Sequence, residues 1–166
     1  MVTLRPVPLT RERFAPYGDV IETSADRLVA MNAARFERFD NECAVEADGG
    51  QVAISIVRCR LATMLPYRFD TVERHPHGSQ AFVPLTPYRF MVVVAPPEED
   101  VAADDLRAFV TNGRQGVNYH RGTWHMPLIA FDEGQEFLVI DRSGESPNCE
   151  EHSLEEPLIL TAADSN

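Results

Sequence analysis

The stretch Phe90-Met91-Val92-Val93-Val94-Ala95 reads as a strand covered on both faces. Six consecutive apolar residues are too few for a buried helix. The β-branched run favours extended chain, and Pro96-Pro97 ends it. Short runs of the same kind flank it, separated by turn residues: Gln51 to Cys59 after Asp48-Gly49-Gly50, then Arg68 to His75, Gln80 to Leu85, Arg107 to Thr111, Val117 to His120, His125 to Phe131 and Glu136 to Asp141. This spacing of short strands predicts an all-β sandwich or barrel of the jelly-roll type, in one domain over residues 1–166.

The ends of the chain are less regular. Leu4 to Leu9 reads as a short edge strand, its pairing limited by Pro6 and Pro8. Thr10 is placed to N-cap a helix over Arg11 to Tyr17, with Gly18 as its stop. Residues 25–39 are polar and mixed, which predicts a loop with one helical turn. Pro157 to Leu160 predicts an edge strand, or a segment docked on a partner subunit.

Composition excludes several functions. The net charge is -11, opposite in sign to what nucleic acid or an anionic membrane surface attracts. All 15 basic residues are Arg, so neither a Schiff-base Lys nor a P-loop Lys is available. The three cysteines, Cys43, Cys59 and Cys149, have no zinc-ligand spacing. No apolar signal sequence or membrane-spanning run is visible, and the cytoplasm is the expected location.

Two polar clusters interrupt the apolar pattern: Glu73-Arg74-His75-Pro76-His77-Gly78-Ser79-Gln80 and Asn118-Tyr119-His120-Arg121-Gly122-Thr123-Trp124-His125. They hold four of the five histidines. Alternation puts Glu73 and His75 on one face, with Gln80 returning to it after the Gly78 bend. His125 alternates with Pro127, Ile129 and Phe131, so its imidazole is expected to point into the interior. Imidazole with carboxylate suits a borderline divalent metal, and the expected ligands are His75, His125, Glu73 and Gln80.

These segments resemble the two cupin motifs. His75 stands at the second His of the first motif, with Glu73 at the first His and Gln80 at the Glu. Gly122 and His125 keep the second motif, and His120 replaces its Pro. A neutral Gln is a weaker ligand than the carboxylate it replaces. Further stretches, running in order along nearly the whole chain, resemble the ureidoglycolate lyase family: Tyr17-Gly18-Asp19-Val20-Ile21-Glu22, Glu73-Arg74-His75-Pro76, Leu106-Arg107-Ala108-Phe109, Thr111-Asn112-Gly113, Gln115 to Arg121, Trp124-His125, Ile140-Asp141-Arg142 and Asn148-Cys149. The family position of His77 is commonly another residue.

The resemblance implies a homodimeric cupin-type barrel that cleaves ureidoglycolate to glyoxylate and urea in allantoin breakdown, with nickel as the divalent cofactor it points to. That chemistry needs a base, an acid and an anion anchor. His125 and His75 are expected as metal ligands or bases, and His120 or Tyr119 as the acid at the leaving nitrogen. Gln80 and Asn118 are expected on the ureido group, and Arg58 or Arg142 on the carboxylate. Asp141 is expected to pair with an Arg or a turn amide, and Trp124 to pack at the barrel mouth. Two other readings stay open: an amidohydrolase releasing ammonia, and a non-catalytic cupin that binds a small acid.

Overall fold

The computed structural model of the chain describes residues 2–41 and 43–163. Two sheets face one another. The larger has seven strands in the order β1 (Val2–Leu4), β14 (Glu150–Leu160), β7 (Tyr67–Arg74), β12 (Trp124–His125), β9 (Met91–Ala95), β10 (Arg107–Val110) and β2 (Val7–Pro8). The smaller has five, in the order β3 (Gly18–Ile21), β11 (Gly116–Tyr119), β8 (Gln80–Pro84), β13 (Glu136–Ser143) and β6 (Gln51–Arg58). The architecture is all-β, as expected, with two facing sheets. No helix among the described residues is long and apolar enough to cross a membrane.

The opening strand β9 is covered on both faces, as its composition predicts. Met91, Val93 and Ala95 join one core with Leu106, Ala108, Trp124 and Leu158. Val92 and Val94 join a second core with Phe109, Val117, Tyr119 and Phe137, between the sheets. A strand with a core on either side cannot alternate with polar residues, which is why the run is unbroken.

The N-terminal segment forms two short strands rather than one. β1 pairs with β14 and β2 with β10, both parallel, so they occupy opposite margins of the seven-stranded sheet. Only Arg5 and Pro6 separate them. Seven strands laid flat at ~4.8 Å spacing would hold their margins nearly ~29 Å apart. Three Cα steps reach at most ~11 Å. The sheet is therefore curled almost to closure, and the N-terminal segment ties its margins together.

Other departures have local causes. The helix α1 covers only Arg11–Phe14, capped by the Thr10 hydroxyl accepting from the Arg13 amide at 3.3 Å. Gly18 does not stop it. Gly18 opens β3, where a Cβ would lie 2.0 Å from the Asn118 carbonyl oxygen. Residues 28–39, expected as loop, form a hairpin of β4 (Leu28–Met31) and β5 (Phe36–Phe39). Its turn places Asn32, Ala33 and Ala34 at positive φ without a glycine, so the usual hairpin signal is missing. The strand expected over residues 125–131 shrinks to Trp124–His125, with one further bridge from Ile129 to Met91, because Pro127 lacks the amide a continuous ladder needs. The C-terminal run is an interior strand between β1 and β7, not an edge.

Candidate active site

The strand pairing His125↔Glu73 joins the two polar clusters across β12 and β7. Glu73, His75 and His125 each bring one ligand atom to a common point, all within 4.8 Å of one another. The His75 and His125 ring centroids are 5.0 Å apart, and the Tyr119 ring lies against His125 at 4.6 Å. An open groove of about 340 Å³, lined by Phe69, Thr71, Met126 and Pro127 among others, reaches Glu73.

The tautomers of both imidazoles follow from their partners. His75 Nδ1 lies 2.7 Å from the Asn148 carbonyl oxygen, and His125 Nδ1 lies 2.9 Å from that of Thr123. A carbonyl only accepts, so each Nδ1 carries the proton and donates it. In the neutral ring each Nε2 is then a bare lone pair. Both Nε2 atoms are buried without a hydrogen-bond partner among the described residues, as are the Tyr119 hydroxyl and Asn118 Oδ1. Buried polar atoms are rarely left unpaired in native proteins. Here the two Nε2 atoms face the same point as Glu73, whose Oε1 stands 3.6 Å from His125 Nε2, beyond hydrogen-bond reach.

Charge follows the geometry. When the facing rings carry a proton on Nε2, Glu73's carboxyl is held below its ordinary range, chiefly by the hydrogen bond from His125, then by the positive charge of His125 and His75 and by the Cys149 thiol, while burial acts the other way. Burial, helped by the Glu73 charge, drives the Tyr119 phenol upward, so it keeps its proton throughout the neutral range. When both rings are neutral, their Nε2 lone pairs and the Glu73 carboxylate match the donor set of a borderline divalent ion, and three protein donors would leave such an ion open coordination positions.

The remaining predicted residues are distributed differently. Tyr119 and Gln80 face each other across β11 and β8, on one face of the smaller sheet. Gln80 donates its amide to Asp141 at 3.3 Å, so Asp141 pairs with a side-chain amide rather than with an Arg. Asn118 and His120 lie on the opposite face. Asn118 donates to Asp19 and to the Ala44 carbonyl, both at 3.0 Å, and His120 Nε2 sits 3.1 Å from Asp19. Strand alternation accounts for this: residues 118 and 120 cannot share a face with 119. Neither Asn118 nor His120 is brought to the cluster.

The two arginines are also engaged elsewhere. Arg58 pairs with Glu136 at 2.6 Å, at the opposite end of β6 and β13 from Asp141. Arg142 donates to the carbonyls of Asp48, Gly49 and Ser146 and to the Ser146 hydroxyl, tying two loop segments to β13. His77 contributes its backbone amide, which donates to Asn148 Oδ1 at 2.7 Å. Trp124 is buried beneath Arg74, whose guanidinium lies 4.5 Å over the ring, and its indole donates to the Glu98 carbonyl.

Comparison with known proteins gives a consistent result. The sequence matches the family described as "Ureidoglycolate lyase" over residues 1–161. A protein named "Ureidoglycolate lyase" from Burkholderia mallei is 47% identical over 163 residues, covering 97% of this chain and 95% of its own. One of the same name from Pseudomonas fluorescens is 47% identical over 165 residues, covering 98% of each chain. One from Pseudomonas aeruginosa is 46% identical over 163 residues, covering 96% of each. Among solved structures, a 3,4-ketoisomerase from Helicobacter canadensis aligns at 11% identity with a TM-score of 0.38, over 76% of this chain and 84% of that one. With the family matched from residue 1 to 161 and relatives near 47% identity along both full lengths, this chain belongs to the ureidoglycolate lyase family.

Proposed function

We propose that this enzyme cleaves ureidoglycolate to glyoxylate and urea at the point shared by Glu73, His75 and His125. The observation that carries the site is the pair of buried, unpartnered Nε2 lone pairs converging beside an ionised carboxylate. The substrate carbon bears a carboxylate, a hydroxyl and the ureido nitrogen. The hydroxyl proton leaves, the carbon–nitrogen bond breaks as the carbonyl forms, and a proton reaches the departing nitrogen. No nucleophile or water enters.

Glu73, His75 and His125 would hold a divalent metal, with nickel the ion the family resemblance implies. Such an ion supplies a positive charge that can chelate the substrate's carboxylate and hydroxyl and make that hydroxyl more acidic. That role matters here because Arg58 and Arg142 are both engaged away from the cluster. Without an ion, the His125 Nε2 lone pair is itself placed to take the hydroxyl proton and return it to the leaving nitrogen. Tyr119, kept neutral by burial, serves as a hydrogen-bond donor, and Gln80 offers an amide to the ureido group.

A homodimer in the cytoplasm completes the reading. β6 is the open margin of the smaller sheet, and Val52, Ile54 and Ile56 on one of its faces are 53%, 71% and 61% exposed. A long apolar edge of this kind invites strand pairing unless covered, and a second copy of the chain would cover it.

The test is product analysis. Purified protein should yield urea and glyoxylate in equal amounts with little ammonia; ammonia as the main nitrogen product would reject the lyase reading. His125→Ala should lower turnover by ~10²-fold or more, because it deletes a ligand or a base. Chelation distinguishes the two versions: activity lost and then restored by nickel or manganese supports the ion, and full activity in metal-free protein supports direct imidazole catalysis.

A further inference from the structure

We infer that Cys149 is a positioning residue that holds Glu73 in the orientation the cluster needs, acting as an outer-shell partner and not as a ligand. Its Sγ lies 3.5 Å from Glu73 Oε2, a thiol donating to a carboxylate. Oε1, the other oxygen, is the one that faces His125 Nε2. A carboxylate on a strand can rotate about its side-chain bonds, and one anchored oxygen fixes where the second one points. The independent sign that something occupies the common point is the orphaned Nε2 pair, on a His125 that is 2% exposed.

Cys149 is itself held in place. Asn148, its neighbour, accepts from His75 Nδ1 through its carbonyl and from the His77 amide through Oδ1, both at 2.7 Å. On the other side, Glu150 and Glu151 pair in register with Arg74 and Glu73 in the β14–β7 ladder. The dipeptide Asn148-Cys149 thus fixes the His75 ring by its backbone and the Glu73 carboxylate by its thiol. Outer-shell partners of this kind tune metal affinity by ~10- to 100-fold.

The inference rests on the metal-holding reading of the site. Its test is a titration of metal-free protein with Co²⁺, followed by calorimetry and by the absorption spectrum. Wild type should bind one ion without a sulfur-to-cobalt charge-transfer band. Cys149→Ala should bind ~10- to 100-fold more weakly, with a changed d–d spectrum, and Cys149→Ser should recover most of the loss because a hydroxyl still donates. Three results would overturn the inference: wild-type affinity in Cys149→Ala, no recovery in Cys149→Ser, or a charge-transfer band that depends on Cys149 and makes it a ligand. If wild type binds no ion, the metal reading fails separately. Crystal structures of metal-free wild type and Cys149→Ala then decide: a single Glu73 rotamer that changes on losing the thiol upholds the positioning role, and an unchanged rotamer overturns it.

Discussion

At the scale of single residues, Tyr119 separates a functional role from a packing role most sharply. Its ring is buried against His125, and its hydroxyl has no partner among the described residues. A buried unpaired hydroxyl weakens a fold, so Tyr119→Phe should raise stability by about 1 kcal/mol in urea denaturation. The same change should lower kcat if the phenol donates to the substrate; a residue that merely packs would leave kcat unchanged. The sign of the pH effect follows from the raised phenol. Below the ordinary Tyr value of about 10, folded and unfolded chains both keep the proton. Above it the unfolded chain loses the proton first, so stability falls as pH rises. Thermal unfolding measured between neutral pH and strong alkali should show that fall, and Tyr119→Phe should make it shallower.

At the scale of elements, the clearest constraint is the close approach of β3 to β11. A Cβ on Gly18 would overlap the Asn118 carbonyl at 2.0 Å, and backbone cannot step aside as a side chain can. Gly18→Ala should cost about 1–3 kcal/mol, read as a lower denaturation midpoint. The sequence gives no sign of this, because a glycine after a short helix looks like its stop. Most strands were legible: β6 to β11 fall within a residue or two of where apolar runs and turn residues put them. The hairpin over 28–39 was not, since its turn uses Asn32, Ala33 and Ala34 where glycine would be expected. Within the candidate site, alternation put Glu73 and His75 on one face and aimed His125 inward, and the structure brings the three together. Alternation also separates Asn118 and His120 from Tyr119, and chemistry alone had grouped them. Cys149 could not be found from spacing, because only the β7–β14 ladder brings it to Glu73.

At the scale of the whole molecule, one run of exposed apolar surface lies along the margin of the smaller sheet. Along β6, Val52, Ile54 and Ile56 face solvent, and across the ladder Ile54 and Ile56 stand opposite Ile140 and Leu138 of β13. The separate hairpin carries Leu28, Val29, Met31 and Phe36, all exposed, on a two-stranded unit too small to be stable alone. Ile54→Arg should therefore convert a dimer to a monomer in light scattering after size exclusion, with the active site intact. A wild-type chain that elutes as a monomer at micromolar concentration would remove the case for this interface.

The tie made by β1 and β2 has a consequence for synthesis on the ribosome. Val2 finds its partner at Leu158, so β1 cannot pair until β14 has been made. β7 waits too, because β14 supplies one of its two edges. Long-range pairing of this kind slows folding, since the loop must close before its contacts form. At ~5–20 residues per second the wait lasts roughly ten to thirty seconds, during which the apolar strands before β14 stand incompletely paired. A nascent chain released before Glu150 should therefore be captured by chaperones or aggregate, while its completed counterpart should not.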